Sequence, residues 1–130
     1  MKFIKSLFLL SCLMCFLSGC SFPVYITLKL DKAVLDEFSG GVLVVGKQGP
    51  HDYGPVSQYI KDEQTIQFTV CNTIPYLIRL KSKTAMVEFS LDRKARVCRY
   101  PGGQVPITRD SNERGIILDL RGRKIETAPP

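Results

Sequence analysis

The sequence predicts an all-β protein, a small and mostly antiparallel β-sandwich of seven or eight short strands behind a cleaved N-terminal signal helix. Three observations carry that expectation. Apolar and polar residues alternate with a period of two over 24–31, 64–71 and 84–91. Clusters rich in Gly, Pro, Asn and Asp separate such runs at short spacing, as in a sandwich or small barrel. No internal repeat is long enough for a solenoid or a propeller.

At the front, Lys2 and Lys5 precede LFLLSCLMCFL, an apolar block running from Leu7 to Leu17, and Ser18 and Gly19 follow. A charged start, a short apolar stretch and small residues form the layout of a secretory signal. The block falls short of the roughly 17–25 apolar residues that a membrane-spanning helix needs. Residues 1–19 are therefore expected to be an export signal, with 20–23 a short tether, 24–127 the folded domain and 128–130 a frayed end.

Leu17, Ser18, Gly19 and Cys20 resemble the lipobox of bacterial lipoproteins. The resemblance covers about 20 residues and bears on the leader alone. It implies that the Cys20 thiol is alkylated by a diacylglyceryl group, that the chain is cut between Gly19 and Cys20, and that the new amine is acylated. Cysteine supplies the strong sulfur nucleophile such chemistry needs. Several acyl chains on one residue exceed the pair of signals that suffices for stable anchoring. Ser21 follows the cysteine where lipoproteins kept at the inner membrane often carry Asp, so the resemblance favours the outer membrane, facing the periplasm.

The first alternating strand, PVYITLKLD, opens only three residues beyond Cys20, a reach of about 10 Å when extended. The domain is thus expected close to a bilayer. DKAVLDEF (31–38) breaks the alternation; Asp31 is placed to cap a short helix with Val34 and Phe38 on one side. GVLVVG (41–46) is a continuous apolar run, expected as a strand buried on both faces. KQGPHDYGP (47–55) is expected as a long exposed loop.

QTIQFTVC (64–71) alternates with Ile66, Phe68 and Val70 inward, and NTIP turns the chain toward YLIRLKSK (76–83). In TAMVEFSL, Ala85, Val87, Phe89 and Leu91 share a face. DRK (92–94) is a hairpin connection into ARVCRY (95–100). QVPIT (104–108) is an edge segment, because Pro106 cannot donate to a ladder. A polar loop, RDSNER, leads to the last strand, GIILDLR (115–121), and IETAPP is expected to fray.

Removing residues 1–19 of the 130 leaves 111, which suits one domain. That chain has 16 Lys plus Arg against 12 Asp plus Glu, a net +4. The charge is segregated: residues 20–78 hold four basic against six acidic groups, net −2, and residues 79–130 hold twelve against six, net +6. Arg93, Lys94, Arg96 and Arg99 form one basic group, and Arg121, Arg123 and Lys124 another. If the strands carrying them lie together, they make an anion-attracting patch.

Of five cysteines, Cys12 and Cys15 fall in the signal. With Cys20 assigned to lipid, Cys71 and Cys98 remain, and parity in an oxidising compartment favours a bridge between them, worth roughly 3–4 kcal/mol in the chain-entropy model. The alternative is a pair of buried free thiols.

Catalytic parts are sparse. His51 is the single histidine and sits in the loop sequence HDYGP, where Asp52 and Tyr53 are its neighbours; a solvated histidine is the simpler account. Asp62 and Glu63 are adjacent, which a strand would point to opposite sides, so no glycosidase pair is signalled. Neither a nucleophile elbow, nor a phosphate loop, nor clustered metal ligands occur, and no cofactor, metal or small-molecule substrate is expected. Tyr53 in the 47–55 loop is the candidate exposed aromatic anchor for a partner.

These readings together predict a non-enzymatic lipoprotein of the outer membrane whose domain binds another envelope component, with no nucleic-acid partner. The alternative is a periplasmic inhibitor or ligand binder that uses the 47–55 loop. His51, Tyr53, Arg93, Lys94, Arg96, Arg99, Arg121 and Arg123 are the candidate partner-binding residues.

Overall fold

The computed structural model describes residues 23–38, 40–47, 49–71, 74–109 and 115–130, with Cys71 described by its backbone. Residues 1–19, expected as an export signal, and Cys20 lie outside the described residues. Eleven strands are described: β1 (Pro23–Lys29), β2 (Gly41–Gly46), β3 (Gly49–Gly54), β4 (Ile60–Asp62), β5 (Thr65–Cys71), β6 (Leu77–Lys81), β7 (Met86–Asp92), β8 (Val97–Tyr100), β9 (Gly103–Pro106), β10 (Thr108–Arg109) and β11 (Gly115–Asp119). One short helix, α1 (Lys32–Glu37), and a 3-10 turn at Val56–Tyr59 complete them.

The strands form two sheets, in the orders β10-β11-β1-β5-β4 and β3-β2-β6-β7-β8-β9. Their inner faces meet in a single core, which is the all-β sandwich expected from the alternating runs. Pairing is antiparallel among the described strands except between β1 and β11, which run parallel from Tyr25↔Gly115 to Lys29↔Asp119. Parallel pairing suits two strands so far apart in sequence, because no tight turn has to join them.

Alternation decides the core. Ile26 and Leu28 of β1, Ile66, Phe68 and Val70 of β5, and Ile116 and Leu118 of β11 are buried from the first sheet. Val42, Val44, Ile78, Leu80, Val87, Phe89, Leu91, Cys98 and Val105 answer them from the second. Fully burying such a side chain stabilises by roughly 1.5–3 kcal/mol as an upper figure. All of the buried core residues fall between Ile26 and Leu120.

Four local expectations change in the tertiary setting. First, β2 is buried on one face only: Val42 and Val44 point into the core, while Leu43 and Val45 are half-buried. In a two-layer sandwich each sheet has one covered face, so an unbroken apolar run still yields one buried row. Second, residues 49–54 are not loop but strand β3, paired antiparallel with β2 through a register shift between Val42 and Leu43. The ladder partner comes from β2, and Gly49 and Gly54, at φ 100° and 80°, take the left-handed backbone at the two ends. Pro50 is tolerated there because β3 is an edge strand.

Third, Asp31 occupies the N-cap position of α1 without a side-chain cap. Its carboxylate instead accepts the Gly122 N–H at 3.1 and 3.2 Å, tying the start of the helix to the turn after β11. The helix buries Leu35 and the following Phe38, with Val34 packed partly against the core. Fourth, the chain end is held: Ala128 exchanges hydrogen bonds with Met86 at 2.8 and 2.9 Å, on the side of β7 that β8 does not reach. That satisfies a backbone position otherwise left open.

Both lateral openings of the sandwich are crossed by the chain itself. The segment Pro55–Tyr59 carries it from β3 in one sheet to β4 in the other, and Ile107 alone separates β9 from β10. Pro106 lies in β9, the outer strand of its sheet, as its missing N–H requires.

The β1–β11 contact leaves no room for a side chain at Gly115, where a Cβ would lie 2.9 Å from the Tyr25 carbonyl oxygen. Gly115→Ala should therefore cost roughly 1–3 kcal/mol in urea unfolding, and a variant of unchanged midpoint would refute the tight strand approach.

Candidate functional site

The strand registers sort the surface into two ends. One end gathers the start of β1, where Pro23 pairs with Cys71, and the aligned row Val45, Leu77 and Ser90. The β7–β8 turn belongs there, because Asp92 pairs with Val97 and Val97 with Pro106. The opposite end gathers Lys29, Asp119 and Thr65, with Asp62 beside the last.

At the first end, Asp92 organises the turn Arg93–Arg96. Its Oδ1 accepts the backbone N–H groups of Lys94 and Ala95, both at 3.1 Å, while its Oδ2 accepts Arg99 Nη1 at 2.9 Å. The Ala95 N–H, followed by the Arg99 guanidinium, holds the Asp92 carboxyl below the usual carboxylate range. Arg96 closes the turn at φ 56°, where a side chain other than Gly, Asn or Asp costs roughly 1–2 kcal/mol. Its carbonyl accepts the Ile107 N–H at 2.9 Å, so the turn is fixed to the β9–β10 crossing as well.

These residues line an open groove of about 700 Å³. Arg93, Lys94, Arg96 and Arg99 stand on one side of it, and Arg109 of β10 joins them from the other sheet. Ile74 and Tyr76 supply an apolar patch in the same groove, and Tyr76 is half exposed. Guanidinium groups of this kind offer paired donors for phosphate or carboxylate oxygens.

Arg121 and Arg123 are not part of that group. They lie beyond β11, at the opposite end, so the two basic runs do not merge. Strands β8 and β11 belong to different sheets; the first basic group precedes and enters β8, and the second follows β11. The Arg121 guanidinium is engaged with Asp119 at 3.0 and 2.9 Å, and that pair holds the Asp119 carboxyl down and the guanidinium up. Nearby, Asp62 ends β4 and Glu63 lies in the turn that follows; the Asp62 carboxylate accepts the Gln64 N–H at 2.8 Å.

His51 is exposed on β3 and stands edge-on to Tyr53, with ring centroids 4.7 Å apart. Tyr53 is not the free anchor expected from the loop. It is half-buried against Phe68, centroids 5.4 Å apart, and its carbonyl accepts the Tyr59 hydroxyl at 2.9 Å. Once 49–54 pairs as a strand, alternate residues must turn toward the core, and Tyr53 takes that place. Burial pushes the Tyr53 hydroxyl pKa up, with the neighbouring Tyr59 adding to it.

Cys98 is a free thiol, wholly buried in the core, and burial pushes its pKa up to about 12. The structure thus has a thiol where the sequence favoured half of a cystine. The side chain of Cys71 lies outside the described residues, as does Cys20. Among the described residues no His, Cys, Asp or Glu cluster could hold a metal ion.

Arg109, Ile74 and Tyr76 were not singled out by the sequence. Arg109 follows Pro106 at a sheet crossing, and only the crossing brings it beside Arg96.

Two measurements check this description. Cys98 should resist maleimide in the native protein and react fully once unfolded without reductant; failure to react when unfolded would mean that it is bridged. A depressed folded pKa makes the Asp92 carboxylate stabilising above its ordinary pKa, a contribution lost as pH falls through the folded value. Asp92→Asn should thus lower Tm near pH 7, with the gap to wild type narrowing as pH falls below the ordinary carboxylate range; a constant gap would refute the charge-based account.

No family model, curated protein or solved structure matches this chain.

Proposed function

We propose that the protein is a non-enzymatic outer-membrane lipoprotein, an accessory or assembly subunit whose β-sandwich binds another component of the cell envelope. The observation that carries this reading is the lipobox-like LSGC at 17–20, placed three residues before the first residue of β1. A tether that short restrains the domain to within about 10 Å of its anchor. A rigid two-layer domain with an ordered charged groove is suited to holding a partner rather than to turning over a substrate.

A second reading rests on β3. It is the outer strand of its sheet and carries exposed Pro50, His51 and Asp52. An exposed edge of that kind accepts a partner strand, which is how an inhibitor or ligand binder in the 47–55 segment would act. Such an inhibitor would keep its affinity without lipid and lose it on replacing His51 and Asp52 by alanine, whereas an assembly subunit would co-purify with a membrane complex in detergent.

The anchor is tested by metabolic palmitate labelling. Wild type should incorporate label and fractionate with the outer membrane, and Cys20→Ser should give an unlabelled, unprocessed precursor. A Cys20→Ser protein that still matures and reaches the outer membrane would overturn the proposal.

A further inference from the structure

We infer that the groove between the β7–β8 turn and β10 is a docking site for the headgroups of anionic phospholipids, so that the domain lies with this end against the bilayer. The inference rests on the tethered reading above and adds the surface and the ligand class to it.

The first support is the composition of the groove. Arg93, Lys94, Arg96, Arg99 and Arg109 line it with a single acid, Asp92, which is engaged with Arg99 and the turn backbone. Of the loop that follows β10, residues 110–114 lie outside the described residues; their sequence adds Asp110 and Glu113 against Arg114, too little to cancel the cations. Arg93, Lys94, Arg96 and Arg109 make no ion pair among the described residues. The contrast with Arg121 is direct, since that side chain is held by Asp119.

The second support is position. The groove opens at the end of the sandwich where β1 begins, and Cys20 is three residues before Pro23. Of the two ends, this is the one a short tether holds nearest the membrane surface. The third is its mixed character: Tyr76, half exposed beside Ile74, gives an aromatic ring with a polar tip, the side chain favoured at headgroup depth. Finally, Arg96 keeps a guanidinium at a left-handed position that glycine would occupy without strain. Basic residues next to an anionic leaflet are attracted over about a Debye length, which a tether of this length keeps them within.

The test uses the mature protein purified from membranes and reconstituted into vesicles of phosphatidylcholine, with or without phosphatidylglycerol. Hydrogen exchange of the 93–97 and 105–109 amides should slow by roughly tenfold on the anionic vesicles, at low salt, relative to the neutral ones. The turn at 82–85, at the opposite end, should be unchanged. A triple variant, Arg93→Ala with Lys94→Ala and Arg109→Ala, should lose the difference while keeping the same exchange on neutral vesicles. Equal exchange on both vesicles would overturn the proposal. So would protection reproduced by inorganic phosphate without anionic vesicles, or protection appearing only when an acidic envelope protein is added. Mass spectrometry of the N-terminus in the same preparation reads the anchor separately: an unmodified Cys20 with slowed exchange would sink the tether and leave the headgroup site standing.

Discussion

Strand β1 is the element on which the structure turns. It lies at the centre of its sheet, antiparallel to β5 and parallel to β11, and Ile26 and Leu28 are completely buried beneath it. Both neighbours arrive from far along the chain, β11 from nearly its end. The sheet therefore cannot close until most of the sequence is in place, and its stability depends on non-local burial rather than local propensity. The same strand begins three residues after Cys20, the expected site of lipidation.

Polar features then fall into place around that strand. Residues at its start share an end of the sandwich with the β7–β8 turn, and residues at its close share the other with Asp119 and Arg121. At the far end Arg121 pairs with Asp119, and the Asp31 carboxylate accepts a backbone N–H. At the near end Arg99 pairs with Asp92, while Arg93, Lys94, Arg96 and Arg109 make no ion pair among the described residues.

Much of the fold was legible because a half-buried strand imposes its period on the residue types. The rows Ala85, Val87, Phe89, Leu91 and Ile66, Phe68, Val70 point inward as their alternation requires. The segment 49–54 was not legible, since GPHDYG has no apolar period and becomes a strand only through pairing with β2. Asp31 stands at the N-cap, as its type suggests, but its carboxylate bonds a backbone N–H 91 residues away, and sequence shows only the local partner. Likewise the near-edge role of Ala128 depends on β8 ending short of Met86.

For the candidate site, the sequence alone determined which side chains carry positive charge and that Arg93 to Arg99 cluster, since these are matters of residue type and spacing. Only the tertiary structure decided which charges meet. It parted Arg121 and Arg123 from the first group, brought Arg109 across from the other sheet, drew Tyr53 inward and left Cys98 a buried thiol. The physical reason is that strand order and register, set by burying both apolar faces at once, place residues at one end or the other irrespective of their distance along the chain.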